Sequence, residues 1–183
     1  MPKVAVFIIN GFEEIEGTTT IDILRRGNVT VDIVSLEPDL QVTGAQKMQI
    51  IANKLLKDID PKDYDMLIVP GGTTAYLGNK SFMDLLAAEG KAGKKLAAIC
   101  VAPTVLASVG LLKGKKATSY PGTEDKLEGA TFVTDLVVTD GNITTSRGPA
   151  TTPLFALEIL RILCGQEVSD GVKKGILLPL LAA

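Results

Sequence analysis

A three-layer α/β sandwich, built on a mostly parallel sheet with an antiparallel hairpin at one edge, is predicted for this 183-residue chain by three observations. Short β-branched runs recur along it: VAVFII (4–9), VTVDIVS (29–35), MLIVP (66–70) and LAAI (96–99). They are nearly continuous in apolar residues, as strands buried on both faces must be. Helical patterns fall between them, and that alternation implies right-handed βαβ units. Near the end, D-G-N divides two β-rich runs within 132–148, a hairpin signal.

Taken in order, the opening MPKVAVFIING is one short apolar run, read as a buried first strand rather than a leader. Glu14 to Arg26 carries Ile15, Ile21, Ile23 and Leu24, and Arg25-Arg26-Gly27 is a helix stop. Ser81 to Ala92 reads as a second helix with Ser81 as its N-cap. Pro103 to Val109 reads as a third, with proline in the first turn. Residues 151–164 return to helix. No repeat or long linker divides the chain, so 1–183 is expected to be one domain.

Composition excludes several functions. The net charge of -2 gives no electrostatic case for nucleic acid or an anionic membrane as partner, and no apolar run approaches a membrane span. Two distant cysteines, Cys100 and Cys164, make no disulfide framework and suit a reducing, cytoplasmic setting. The chain has no histidine, which rules out a Ser-His-Asp triad, a Cys-His dyad and any His-based metal site. No cofactor signal is present, and no cofactor or metal is expected.

In such folds chemistry gathers at the carboxyl ends of the strands. Three strand ends stand out: NGFEEIE, PGGTTAY and CVAPT. Cys100 follows the run LAAI and precedes a helix start, where the helix dipole lowers a thiol's pKa. The N–H of Val101 would then face an oxyanion at the site. A buried, inert cysteine is the plainer alternative. Glu13 and Glu14 suit the first turn of a helix and need no functional role. Glu16 lies deeper in that helix; alone it is a solvated carboxyl, but facing Cys100 it could carry a proton in place of histidine. Gly72 would bring a backbone N–H close to a ligand. Arg147 is read as a structural ion-pair donor ahead of an anion clamp, and Cys164 as core packing.

FEEIE, IVPGG, AAICVAPTVLA and TTSRGPAT, in that order, resemble the ThiJ/PfpI superfamily, in the branch of the parkinsonism-associated protein deglycase. The resemblance runs from the first strand to about Gly165. It implies a flavodoxin-like sandwich, usually a homodimer. Cys100 would sit at a strained nucleophile elbow, hydrogen-bonded by Glu16, with the amides of Gly72 and Val101 as an oxyanion pocket. It further implies cofactor-free hydration of glyoxals or removal of early glycation adducts from protein, or else redox sensing through a Cys100 sulfinate and chaperone-like behaviour. A small-ligand binding module that has lost the chemistry is the third reading. The chain departs from the family pattern where Ser119-Tyr120-Pro121 replaces a T-H-P stretch, and where the β-branched Val101 stands at a position usually small. Peptidases of the superfamily carry histidine directly after the cysteine, so a protease is not expected. The leading expectation is a cysteine-dependent enzyme acting on a small carbonyl substrate or a glycated protein.

Overall fold

The computed structural model describes residues 1–182. Five parallel strands make the centre of one seven-stranded sheet: β1 (Lys3–Ile8), β2 (Thr30–Ser35), β6 (Met66–Val69), β7 (Lys95–Ile99) and β11 (Ile143–Ser146). The short β5 (Lys54–Leu55) extends it in parallel at one edge, and β10 (Val137–Asp140) joins antiparallel at the other, giving the order β10-β11-β7-β6-β1-β2-β5. Asp140 pairs with Ile143, so Gly141-Asn142 forms a two-residue turn in which Gly141 takes φ 61°. Two small sheets lie outside: β3 (Gln41–Thr43) with β4 (Gln49–Ile51), and β8 (Lys116–Ala117) with β9 (Thr131–Phe132).

Alternation along β1 splits the core. Ala5 and Phe7 face one side, with Leu67, Val69, Phe82, Leu86, Val105 and Leu106. Val4, Val6 and Ile8 face the other, with Ile21, Leu24, Phe155, Ile159 and Leu160. Helices α1 (Glu14–Arg26) and α4 (Thr152–Cys164) therefore cover one face, while α2 (Lys80–Lys91) and α3 (Pro103–Ser108) cover the other. Each fully buried Leu, Ile or Phe contributes about 1.5–3 kcal/mol over its exposed state. An added helix, α5 (Gln166–Gly175), follows α4. No helix among the described residues is long and apolar enough to cross a membrane.

Most expected elements form within a residue or two of their expected ends. The N-cap of α2 is a correction: Asn79, not Ser81, caps it, because the helix starts at Lys80 and Ser81 lies inside its first turn. The Asn79 side-chain oxygen accepts from the Phe82 N–H at 3.1 Å, and its amide donates to the Leu36 carbonyl at 3.2 Å. Neither the β3–β4 pair nor α5 was expected.

Candidate active site

The adjacency of β1, β6 and β7 brings their three carboxyl ends together, as the strand-end pattern predicted. The Glu13 N–H donates to the Gly71 carbonyl at 3.0 Å, stitching the first loop to the second. The third supplies Cys100, directly after β7.

Cys100 takes φ 64°, a left-handed conformation that costs a non-glycine residue about 1–2 kcal/mol. Its backbone is held from both sides. The N–H donates to the Ser146 carbonyl at 3.0 Å, and the carbonyl accepts from the Tyr120 N–H at 2.8 Å. This is the strained elbow that the resemblance implied. The residue is 6% exposed, so the thiol is buried but reachable.

Glu16 is wholly buried. Its helix places it there: Glu13 is the N-cap of α1, and its carboxylate accepts from the Glu16 N–H at 2.7 Å. Glu16 Oε2 accepts from the Gly71 N–H at 2.7 Å, whereas Oε1 has no hydrogen-bond partner of ordinary geometry among the described residues. Gly71 lies between the thiol and the carboxyl. A Cβ there would stand 2.6 Å from Cys100 Cβ and 2.8 Å from Glu16 Oε2, so only glycine lets thiol and carboxyl converge. Gly72 takes φ 87° in the same turn.

Burial pushes the Glu16 carboxyl up from the ordinary 4.5 to about 7; the Gly71 N–H and the Cys100 thiol oppose that rise, and the nearby Glu13 charge adds to it. Burial also pushes Cys100 up, to about 12, with the Glu16 charge as the second cause; the Gly72 and Val101 N–H groups pull it back. The expectation of a helix-lowered thiol is thus corrected. Helix α3 has only six residues, and desolvation beside a carboxylate outweighs its dipole. Thiol and carboxyl behave as one coupled pair that carries at most one negative charge near neutral pH. Gly72 and Val101, the two amides named from the sequence, both act to lower the thiol's pKa against that rise.

Other readings are revised. Glu14 is 1% exposed and no mere dipole partner: its Oε1 accepts from the Gln46 N–H at 2.7 Å and the Met48 N–H at 3.3 Å, clasping the β3–β4 loop. Arg147 makes no ion pair among the described residues; it donates to the Thr134 carbonyl at 3.4 Å and lies over the Phe132 ring. Cys164 keeps the reading of core packing: it is half-buried against the apolar cluster that includes Ile23, Leu24 and Leu160, with its sulfur 3.9 Å from the Gly27 carbonyl. Sequence reasoning missed Gly71 and Glu13. The P-G-G turn held the first signal, but glutamate is an uncommon N-cap and gave none for the second. No cluster of three or more Cys, Asp or Glu is placed to hold a metal among the described residues.

The DJ-1/PfpI family profile matches residues 2–162. The chain is 34% identical over 180 residues to the Arabidopsis thaliana protein DJ-1 homolog B, covering 96% of this chain but 41% of that protein's length. The crystal structure of Drosophila melanogaster DJ-1beta is similar with a TM-score of 0.91 at 37% identity, covering 96% of this chain and 97% of that one. Toxoplasma gondii DJ-1, in an oxidized form, is similar with a TM-score of 0.92 at 30% identity, covering 97% and 98%.

Proposed function

The chain belongs to the DJ-1/PfpI family, and from that premise we propose that it is a cofactor-free, cysteine-dependent enzyme acting on 2-oxoaldehydes such as methylglyoxal, or on the early adducts they form with protein. One observation carries this reading: a buried carboxyl poised near neutrality converges with the Cys100 thiol on Gly71. A carboxyl at about 7 exchanges a proton in either direction at physiological pH.

Glu16 takes the thiol proton as Cys100 sulfur bonds to the aldehyde carbon, and passes it to the carbonyl oxygen to give a hemithioacetal. The carboxylate then removes the hydrogen from that carbon and returns it to the neighbouring one, while the hemithioacetal hydroxyl gives its proton to the ketone oxygen and becomes the carbonyl of a thioester. Water cleaves the thioester, releasing the hydroxy acid and restoring the thiol. Overall, one methylglyoxal and one water give one lactate, with no net oxidation. The Gly72 and Val101 N–H groups stabilise negative charge at the reacting centre. The high thiol pKa suits this order, because the proton leaves as the bond forms rather than beforehand. We place the protein in the cytoplasm, with a second copy of itself as partner.

The test is lactate formed from methylglyoxal, since any exposed amine or thiol consumes methylglyoxal without making product. Cys100→Ser and Glu16→Gln should each lose at least about 100-fold in kcat/KM. Full activity in Cys100→Ser sinks the scheme.

A second reading, oxidative-stress sensing with chaperone-like behaviour, is favoured by the donors around the sulfur. Two equivalents of peroxide convert the thiol to a sulfinate with loss of two waters. The Gly72 and Val101 amides and a protonated Glu16 would hold its oxygens. Peptide mass spectrometry after mild peroxide should find two added oxygens on Cys100 ahead of Cys164; oxidation of Cys164 first excludes this role.

A further inference from the structure

The protein hides its aromatic side chains with one exception. Of its three tyrosines and five phenylalanines, Tyr64, Tyr76, Phe7, Phe12, Phe82 and Phe155 are buried, and Phe132 is half-buried beneath the Arg147 guanidinium. Tyr120 alone is exposed, at 46%, and it is tied to the nucleophile. Its N–H donates to the Cys100 carbonyl at 2.8 Å, and its own carbonyl accepts from both the N–H and the hydroxyl of Thr123, at 3.2 and 2.7 Å. The Thr123 hydroxyl also bonds the buried Ser119 hydroxyl at 2.9 Å. The backbone under the ring is thus fixed on both sides.

The ring itself rests on Gly148. A Cβ at that position would lie 3.2 Å from Tyr120 Cδ2 and 3.5 Å from Cε2. Gly148 has an extended backbone that any residue adopts, so its lack of a side chain serves the ring and not the chain path. Gly148 also follows Ser146, whose carbonyl holds the Cys100 N–H, by only two residues. The ring is seated on Gly148 and still 46% exposed, so it offers a planar ligand group a surface on which to stack.

We propose that Tyr120 is the specificity-determining wall of the Cys100 site, favouring carbonyl substrates that bear a planar aromatic group over those that bear a methyl. The proposal rests on Cys100 being the reacting atom and deepens the reading above by naming which 2-oxoaldehydes the site prefers. The wall acts through its face, so the hydroxyl is dispensable. A tyrosine that merely shields the thiol would slow all reagents alike.

Alkylation of the intact protein separates the two without requiring turnover. Cys100 is treated with iodoacetamide and with 2-iodo-N-phenylacetamide, and its peptide is followed by mass. The ratio of phenyl to unsubstituted rate should fall about fivefold in Tyr120→Ala. It should also fall in Gly148→Val, which pushes the ring off its seat, and should persist in Tyr120→Phe. An unchanged ratio in Tyr120→Ala, with both rates rising together, overturns the proposal. Mandelate from phenylglyoxal against lactate from methylglyoxal should show the same shift. If neither acid forms, the glyoxalase reading falls, and the alkylation ratio still decides on Tyr120.

Discussion

Glu16 and Gly71 show how much of the site rests on single atoms. Removing a carboxyl from water disfavours its charge, and one backbone N–H, from Gly71, only partly compensates. The remaining imbalance leaves Glu16 able to gain or lose a proton near neutral pH. Gly71 has a second role that depends on what it lacks. A methyl there would meet Cys100 Cβ, Glu16 Oε2 and the Ile99 carbonyl, each within 2.8 Å. Gly71→Ala should therefore fold, with a loss of about 1–3 kcal/mol from overpacking. Its lactate turnover should drop at least about tenfold, because a displacement of about 1 Å in the reacting groups is costly. Denaturant unfolding measures the first effect and product formation the second. Wild-type turnover in Gly71→Ala would mean that the thiol and carboxyl need not converge at this point.

At the scale of elements, legibility followed burial. β1, β6 and β7 are buried on both faces, so their residues had to be apolar, and the runs were readable. Their adjacency in the sheet, which the runs alone do not fix, brings NGFEEIE, PGG and CVAPT to one place. The β3–β4 pair was illegible for the opposite reason. QVT and QII are three residues each and largely exposed, and the loop between them is held by Glu14, some thirty residues earlier. Nothing local distinguishes that glutamate from a dipole partner. The direction of the Cys100 shift was lost in the same way. A helix start is local and visible, whereas the desolvating walls and the Glu16 charge come from distant segments. Local rules placed Cys100 at the end of β7; its protonation needed the tertiary structure.

Across the whole molecule, the two ends of the sheet titrate in opposite senses. At the amino end Asp32 is 7% exposed, accepting from Tyr64 Oη at 2.8 Å and Asn53 Nδ2 at 2.9 Å, with Lys3 Nζ at 3.1 Å. Burial raises its pKa, but these three partners outweigh that and leave it below the ordinary 3.8. A lowered carboxyl stabilises the fold above its unfolded pKa and loses that contribution as pH falls. At the carboxyl end Glu16 does the reverse. Its folded value of about 7 exceeds the ordinary 4.5, so the folded state binds the extra proton between the two. Stability from that proton is full below about 4.5 and is lost as pH rises through about 7, amounting to about 3 kcal/mol. Thermal stability should therefore peak in mild acid. The protein should melt several degrees higher at about pH 5 than at about pH 8. Glu16→Gln removes the ionisation and should flatten that alkaline slope, becoming more stable than the wild type at about pH 8 while losing turnover. Asp32→Asn should lower the melting temperature throughout and leave the alkaline slope in place, since its network lies at the other end of the strands. Melting curves of the three proteins across pH separate these effects. An alkaline slope unchanged by Glu16→Gln would show that this carboxyl is ionised well below neutrality, and it could not then be the proton carrier at Cys100.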